Sequence, residues 1–185
     1  DSLTAGYGLA QSEAFPVQLA AVLKAKGQDV EIANGGVSGD TTAAGLARFD
    51  WAIADGTDAV IVELGANDAL RGIDPDETRA NLEAILSRLS ERKIPVLLAG
   101  MAPPKNWGKD YEARFATIYS DLAEKHGALL YPFFLDGVAL DAKLNLQDGL
   151  HPTAEGIGII VARILPKVEE LIARVRAQRA ETSKS

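Results

Sequence analysis

The run Ala59-Val60-Ile61-Val62-Glu63-Leu64, broken at Gly65, decides how the rest of the chain is read. A short, almost continuously apolar run fits a strand covered on both faces, as in a parallel sheet. The next signal is of a different kind. Asp74-Pro75-Asp76-Glu77 sets a capping Asp before a Pro at the first helical position, then two acids facing the helix dipole. It predicts a helix running to about Arg92, after which residues 94–99 return to an apolar strand. Outward from this centre the alternation continues. Residues 15–26 read as a helix stopped by Gly27, 29–33 as a short strand, and 41–54 as a helix with Asp40 at its N-cap. Towards the C-terminus come a helix over 109–126, a strand over 128–131 and a last helix from Thr153 to about Arg176. Alternating strands and helices imply a doubly wound α/β domain. With no repeat or linker, residues 1–179 are expected to form a single domain and the polar tail 180–185 to fray. Asp1-Ser2-Leu3-Thr4 looks like the turn that leaves a strand. A further strand preceding Asp1 is therefore expected, because a four-stranded remnant would expose unpaired edges.

Composition narrows the chemistry. The 185 residues carry a formal charge of -7, and an acidic surface repels phosphate backbones, so nucleic acid is not the expected partner. No apolar run is long enough to span a bilayer, so no stable membrane insertion is expected. There is no Cys and there are only two His, which removes thiolate and histidine-rich metal sites. No metal is expected.

Ligands of parallel α/β sheets bind beyond the carboxyl ends of the strands. Four segments that leave strands or precede helices carry small or polar residues: Asp1-Ser2-Leu3, residues 35–40, Gly65-Ala66-Asn67-Asp68, and Asp148-Gly149-Leu150-His151-Pro152. Acyl transfer needs a nucleophile, a base, a group to orient that base, and donors for the oxyanion. Ser2 supplies the hydroxyl and His151 a base suited to neutral pH. Asp148, three residues earlier on the same loop, is close enough to accept the imidazole Nδ1 proton. Gly39 offers an unobstructed backbone N–H and Asn67 a side-chain amide; with the N–H of Ser2 they make three oxyanion donors. Singly, each of these is an ordinary turn or capping residue. Their joint order carries the signal. His126 at a helix end and Asp68 beside Asn67 read instead as structural.

The four segments resemble the blocks of the SGNH (GDSL) hydrolases in their usual order, lacking only the Gly before Asp1. Asn34 to Ala47, Leu64 to Gly72, and Tyr131-Pro132-Phe133-Phe134 are similar to bacterial multifunctional thioesterase/lysophospholipases and arylesterases, so the resemblance covers nearly the whole chain. It implies a three-layer α/β/α sandwich with a mainly parallel, flavodoxin-like sheet. It also implies that Ser2, Asp148 and His151 form a triad, and that Ser2, Gly39 and Asn67 form the oxyanion hole. The implied activity is that of a serine esterase on small-molecule aryl or short-to-medium acyl esters, thioesters or lysophospholipids, with no cofactor. Relatives of this type are often exported, so a periplasmic or secreted location is expected; the oligomeric state is left open. Loops 69–73 and 102–110 follow successive strands, which makes Leu70, Pro103, Pro104 and Trp107 candidates to wall the substrate. Three alternatives stand beside this: a carbohydrate O-acetyl esterase with the same triad, a non-catalytic binding module of the same fold, and an unrelated flavodoxin-like nucleotide binder. The last is disfavoured by the lack of a phosphate-cradling glycine loop with a Lys.

Overall fold

The computed structural model describes residues 1–103 and 105–182; Pro104, one candidate for the substrate wall, and residues 183–185 of the tail lie outside the described residues. In chain order the helices are α1 (Ser2–Ala5), α2 (Phe15–Ala25), α3 (Thr42–Ala47), α4 (Phe49–Ala52), α5 (Ala66–Arg71), α6 (Pro75–Glu91), α7 (Lys109–Ala116), α8 (Ile118–His126) and α9 (Ala154–Thr182). The strands are β1 (Val60–Glu63), β2 (Val96–Ala99) and β3 (Leu129–Tyr131). The chain divides into two compact units, one made of residues 1–40 and 135–165, the other of 41–134 and 166 onward.

In the first unit, α1 and α2 precede an irregular stretch, and the unit closes with the first half of α9. Ile157, Ile160, Val161 and Ile164 recur at helical spacing and are all buried, so this half of α9 presents one apolar stripe. Gln18 on α2 ties the start of α9 to the chain before α2, donating through Nε2 to the carbonyls of Glu13 (2.9 Å) and Ala154 (3.0 Å).

The second unit holds a parallel sheet in the order β1-β2-β3, with Val60 opposite Val96 and Leu97 opposite Leu129. The central strand β2 is buried at every position, which is why Val96-Leu97-Leu98-Ala99 contains no polar residue. The α/β class and parallel sheet expected from the sequence are therefore present. Helix α6 begins as read: Asp74 Oδ1 accepts from the Asp76 amide at 2.9 Å and Pro75 takes the first position. Its carbonyl end, and that of α8, would leave orphan acceptors. The second half of α9 supplies donors to both ends: Gln178 Nε2 to Lys93 O (2.9 Å) and Arg174 Nη1 to Gly127 O (2.8 Å).

Several local expectations are corrected. Residues 29–33 form no strand, because a strand exists only against a ladder partner and none of the described strands pairs with them. The helix over 41–54 divides into α3 and α4 at Arg48, whose φ of -101° and ψ of 14° interrupt the helical ladder. Its N-cap is Thr41 rather than Asp40, since the Thr41 hydroxyl accepts from the Ala44 amide at 3.2 Å. The helix over 109–126 divides likewise at Thr117, into α7 and α8. Helix α9 continues through Pro166 to Thr182, so residues 180–182 are helical rather than frayed; an ion pair from Arg179 to Asp58 fastens that end. No described helix is long and apolar enough to cross a membrane.

Candidate active site

The chain over 144–153 folds back on itself. Asn145 and Pro152 form an antiparallel bridge, the Leu146 amide donates to His151 O at 2.7 Å, and Thr153 donates to Leu144 O at 2.8 Å. Buried Asn145 anchors the base of this turn through Nδ2 to the carbonyls of Val138 (2.7 Å) and Asp141 (2.8 Å). At the tip, Asp148 Oδ1 accepts from the backbone amides of Leu150 (2.9 Å) and His151 (3.0 Å). That turn leaves Oδ2 facing His151 Nδ1 at 2.7 Å. The spacing of three residues thus places the carboxylate and the imidazole within one local turn.

Electrostatics follow from the same bonds. The amides of His151 and Leu150, then the imidazole, hold the Asp148 carboxyl down to about 2. At neutral pH it is an acceptor only, so Nδ1 carries the proton and the other ring nitrogen has a free lone pair. That nitrogen, Nε2, lies 2.9 Å from Ser2 Oγ, and the hydroxyl therefore donates to it. A hydroxyl, a base and an orienting carboxylate stand in one hydrogen-bonded chain.

Ser2 is the first residue of α1, a single turn capped by Asp1, whose Oδ1 accepts from the Leu3 amide at 3.0 Å. The turn is braced from one side by residues 34–36. Asn34 Oδ1 accepts from the Gly36 amide at 2.9 Å and its Nδ2 donates to Ala5 O at 3.4 Å. Gly36 has to be glycine for this approach. A Cβ there would overlap the Ala5 amide nitrogen and come within 2.9 Å of both Ala5 Cα and Asp1 O. Gly39, with φ 86°, lies exposed further along the same unit.

The remaining candidates belong to the second unit. Gly65, at φ 113°, turns the chain off the carboxyl end of β1 into α5, on whose first turn Asn67 sits partly buried. Asp68 beside it is fully buried and accepts from the Thr42 amide (2.9 Å), the Thr42 hydroxyl (2.5 Å) and the Thr78 hydroxyl (3.2 Å). It locks α5 to α3 and α6. Trp107 donates through Nε1 to Ala69 O at 2.7 Å and lays its ring against Gly72. It remains 43% exposed, next to Leu70 at 47%. Pro103 is half-buried. Trp107, Tyr111, Phe115 and Tyr119 form a column of ring contacts with centroids 5.9 to 6.2 Å apart, ending where the Tyr119 hydroxyl donates to Leu64 O at 2.8 Å.

Ser2, Asp148 and His151 are thus brought together directly, and Gly39 shares their unit. Leu70 and Trp107 are neighbours through Ala69, in the unit that also holds Asn67 and Pro103. Sequence reasoning missed Tyr7, Gly36 and Asn145. The paired glycines of Gly35-Gly36 and Gly6-Tyr7-Gly8 were the available signals, since glycine marks close approach or positive φ.

Comparison with known proteins agrees with the geometry. Residues 1–159 match the model of the GDSL-like lipase/acylhydrolase family. The chain is similar to the arylesterase of Vibrio mimicus, 41% identical over 84% of this chain and 78% of that protein. It is also similar to thioesterase 1/protease 1/lysophospholipase L1 of Escherichia coli K12, 34% identical over 93% of this chain and 82% of that one. Among solved structures, AlinE4, an SGNH-hydrolase family esterase, is 47% identical with a TM-score of 0.77, over 92% of each chain. With its blocks in order and its family model matched over most of its length, the chain belongs to the GDSL-like lipase/acylhydrolase family, the SGNH group of carboxylic ester hydrolases.

Proposed function

We propose that the protein hydrolyses aryl and short-to-medium acyl esters, and acyl thioesters and lysophospholipids with them, through an acyl-enzyme on Ser2. The hydrogen-bonded chain from Ser2 Oγ through His151 to Asp148 carries this assignment. In acylation the Ser2 proton passes to His151 Nε2 as Oγ bonds to the substrate carbonyl carbon. The resemblance to the family's blocks assigns the oxyanion to the N–H groups of Ser2 and Gly39 and the side-chain amide of Asn67. His151 then returns that proton to the leaving oxygen or sulfur as its bond to carbon breaks. In the second half a water gives its proton to Nε2 and attacks the acyl carbon, and Ser2 leaves with the proton restored. Asp148 stays ionised throughout and faces the imidazolium that forms in both halves. Leu70, Pro103 and Trp107 wall the acyl or aryl group; the names of the similar proteins support the breadth of substrates.

Ser2→Ala tests the assignment. It should fold, abolish p-nitrophenyl acetate hydrolysis and escape labelling by a fluorophosphonate; full activity would end the proposal. A panel of p-nitrophenyl esters from acetate to palmitate, with acyl-CoA thioesters beside it, tests the substrate class. Preference for palmitate over all shorter esters would overturn the chain-length part. Asn67→Ala should lose roughly 10²–10³ in kcat, the usual effect of one oxyanion donor.

A further inference from the structure

We propose that Tyr7 is a positioning residue for His151, holding the imidazole while Nε2 changes partners; this rests on the serine-esterase assignment above. The Tyr7 ring centroid lies 4.5 Å from that of His151, tilted by 37°. Tyr7 also grips the nucleophile's own backbone, because its amide donates to Ser2 O at 3.1 Å. It is flanked by two glycines of positive φ, Gly6 at 87° and Gly8 at 74°. Each is in a tight approach: a Cβ on Gly6 would lie 2.7 Å from Ala14 Cβ, and one on Gly8 would lie 2.6 Å from Leu146 Cδ1. Leu146 in turn donates to His151 O at 2.7 Å. Tyr7 is therefore fixed at both ends, against the turn bearing the nucleophile and against the turn bearing the base.

The chemistry makes use of this. The His151 ring has three restraints: Asp148 on Nδ1, Ser2 on Nε2 and the Tyr7 ring on a face. Once Ser2 is acylated, the bond to Nε2 is gone and only Asp148 and Tyr7 remain. Asp148 alone lets the ring swing about its Cβ–Cγ bond within the tolerance of one hydrogen bond, since the terminal side-chain torsion of His is broad. A ring packed on its face blocks that swing. An aromatic face also attracts the imidazolium that forms in each half-reaction. The contact is made by the ring and not by the hydroxyl, which separates Tyr7→Phe from Tyr7→Leu and Tyr7→Ala. Tyr7 is 53% exposed, so these changes should leave the fold intact.

The experiment compares wild type, Tyr7→Phe, Tyr7→Leu, Tyr7→Ala and Ser2→Ala on p-nitrophenyl acetate and butyrate, with thermal melts and the proton NMR signal of the His151 ring. Tyr7→Phe should keep more than half of the wild-type kcat. Tyr7→Leu and Tyr7→Ala should lose at least about 3-fold in kcat from the ring–imidazolium attraction alone, equally for both esters and with KM little changed. The His151 ring protons should keep their aromatic-ring shift in Tyr7→Phe and lose it in Tyr7→Leu. Wild-type kcat in the Leu and Ala variants would overturn the proposal. So would a loss confined to KM that grows from acetate to butyrate, which would make Tyr7 a substrate wall. If Tyr7→Ala melts early, Tyr7→Leu and the NMR comparison decide. Activity surviving in Ser2→Ala would overturn the esterase assignment itself, an outcome distinct from failure at Tyr7.

Discussion

Asp148→Asn separates the two duties of that side chain, and its outcome follows from the hydrogen bonds around it. Oδ1 accepts from two backbone amides, at 2.9 and 3.0 Å, while Oδ2 accepts from His151 Nδ1 at 2.7 Å. An Asn has one acceptor oxygen and can serve only one side. Facing its NH2 to the two amides would leave both unsatisfied, at about 1–3 kcal/mol each. The side chain is 37% exposed, so water relieves part of that, and roughly 2 kcal/mol in total is a fair working value. The preferred orientation therefore keeps the oxygen on the amides and turns the NH2 toward Nδ1, by about 30-fold. There it donates to Nδ1 and drives the imidazole proton onto Nε2, where the ring can no longer accept from Ser2. Losing the charge-assisted bond to the imidazolium costs a further ~1.5–3 kcal/mol. The two effects together predict a fall in kcat/KM of roughly 400- to 5000-fold. Asp148→Ala lacks the misdirecting NH2 and should lose only about 10- to 150-fold. The assay is kcat/KM on p-nitrophenyl acetate at pH 8, with melts to show that both variants fold. An Asn variant as active as the Ala variant would refute the tautomer reasoning.

Three further predictions concern the site and the scaffold. The Asp148 carboxyl is held at about 2, below the ordinary ~3.9, so its stabilising contribution is complete above pH ~4 and lost as pH falls through about 2. The melting-temperature gap between wild type and Asp148→Asn should therefore be constant from pH 7 to 5 and close between pH 4 and 2; a gap that closes above pH 5 would contradict the assignment. Lys93 sits at φ 56° just past α6, where its amide bonds to Ser90 O at 2.9 Å and glycine is the favoured residue. Lys93→Gly should stabilise by about 1 kcal/mol and raise the melting temperature by roughly 2–4 °C, and an unchanged melt would refute the strain. Gly36→Ala places a Cβ against the α1 turn and should displace Ser2, lowering kcat/KM by ten-fold or more for a shift approaching ~1 Å. Wild-type kinetics in that variant would show that the turn yields without moving the nucleophile.

How much was legible depended on how far apart the interacting residues lie in the chain. Asp148 and His151 were readable because their geometry is a local turn of three residues, as were the cap and proline that start α6. The three strands were readable because extensive burial writes itself as a short, almost continuously apolar run, interrupted in β1 by Glu63. Residues 29–33 misled because an apolar pattern cannot state whether a ladder partner is available. The breaks at Arg48 and Thr117 were invisible for a similar reason: apolar periodicity persists through a residue at which one helix ends and the next begins. Trp107 could be flagged as a wall but not oriented, since its partner, Ala69 O, is 38 residues away. Tyr7 gave only a partial sign, in the two glycines that flank it. Its contact is with a ring near the other end of the chain, and nothing in Gly6-Tyr7-Gly8 names that partner.

The bond between Ser2 and His151 joins residues 149 positions apart, and the unit containing both is assembled from residues 1–40 and 135–165. Closing so long a loop costs entropy that only the finished unit repays, so this contact belongs among the last to form during folding. A ribosome that has made the chain as far as residue 100 carries the nucleophile without its base. Partial products are thus chemically silent, and the appearance of hydrolysis marks the moment when the two distant segments have met. Turnover in a refolding or translation mixture would then serve as a clock for completed assembly, one that secondary-structure signals, which arise earlier, cannot provide.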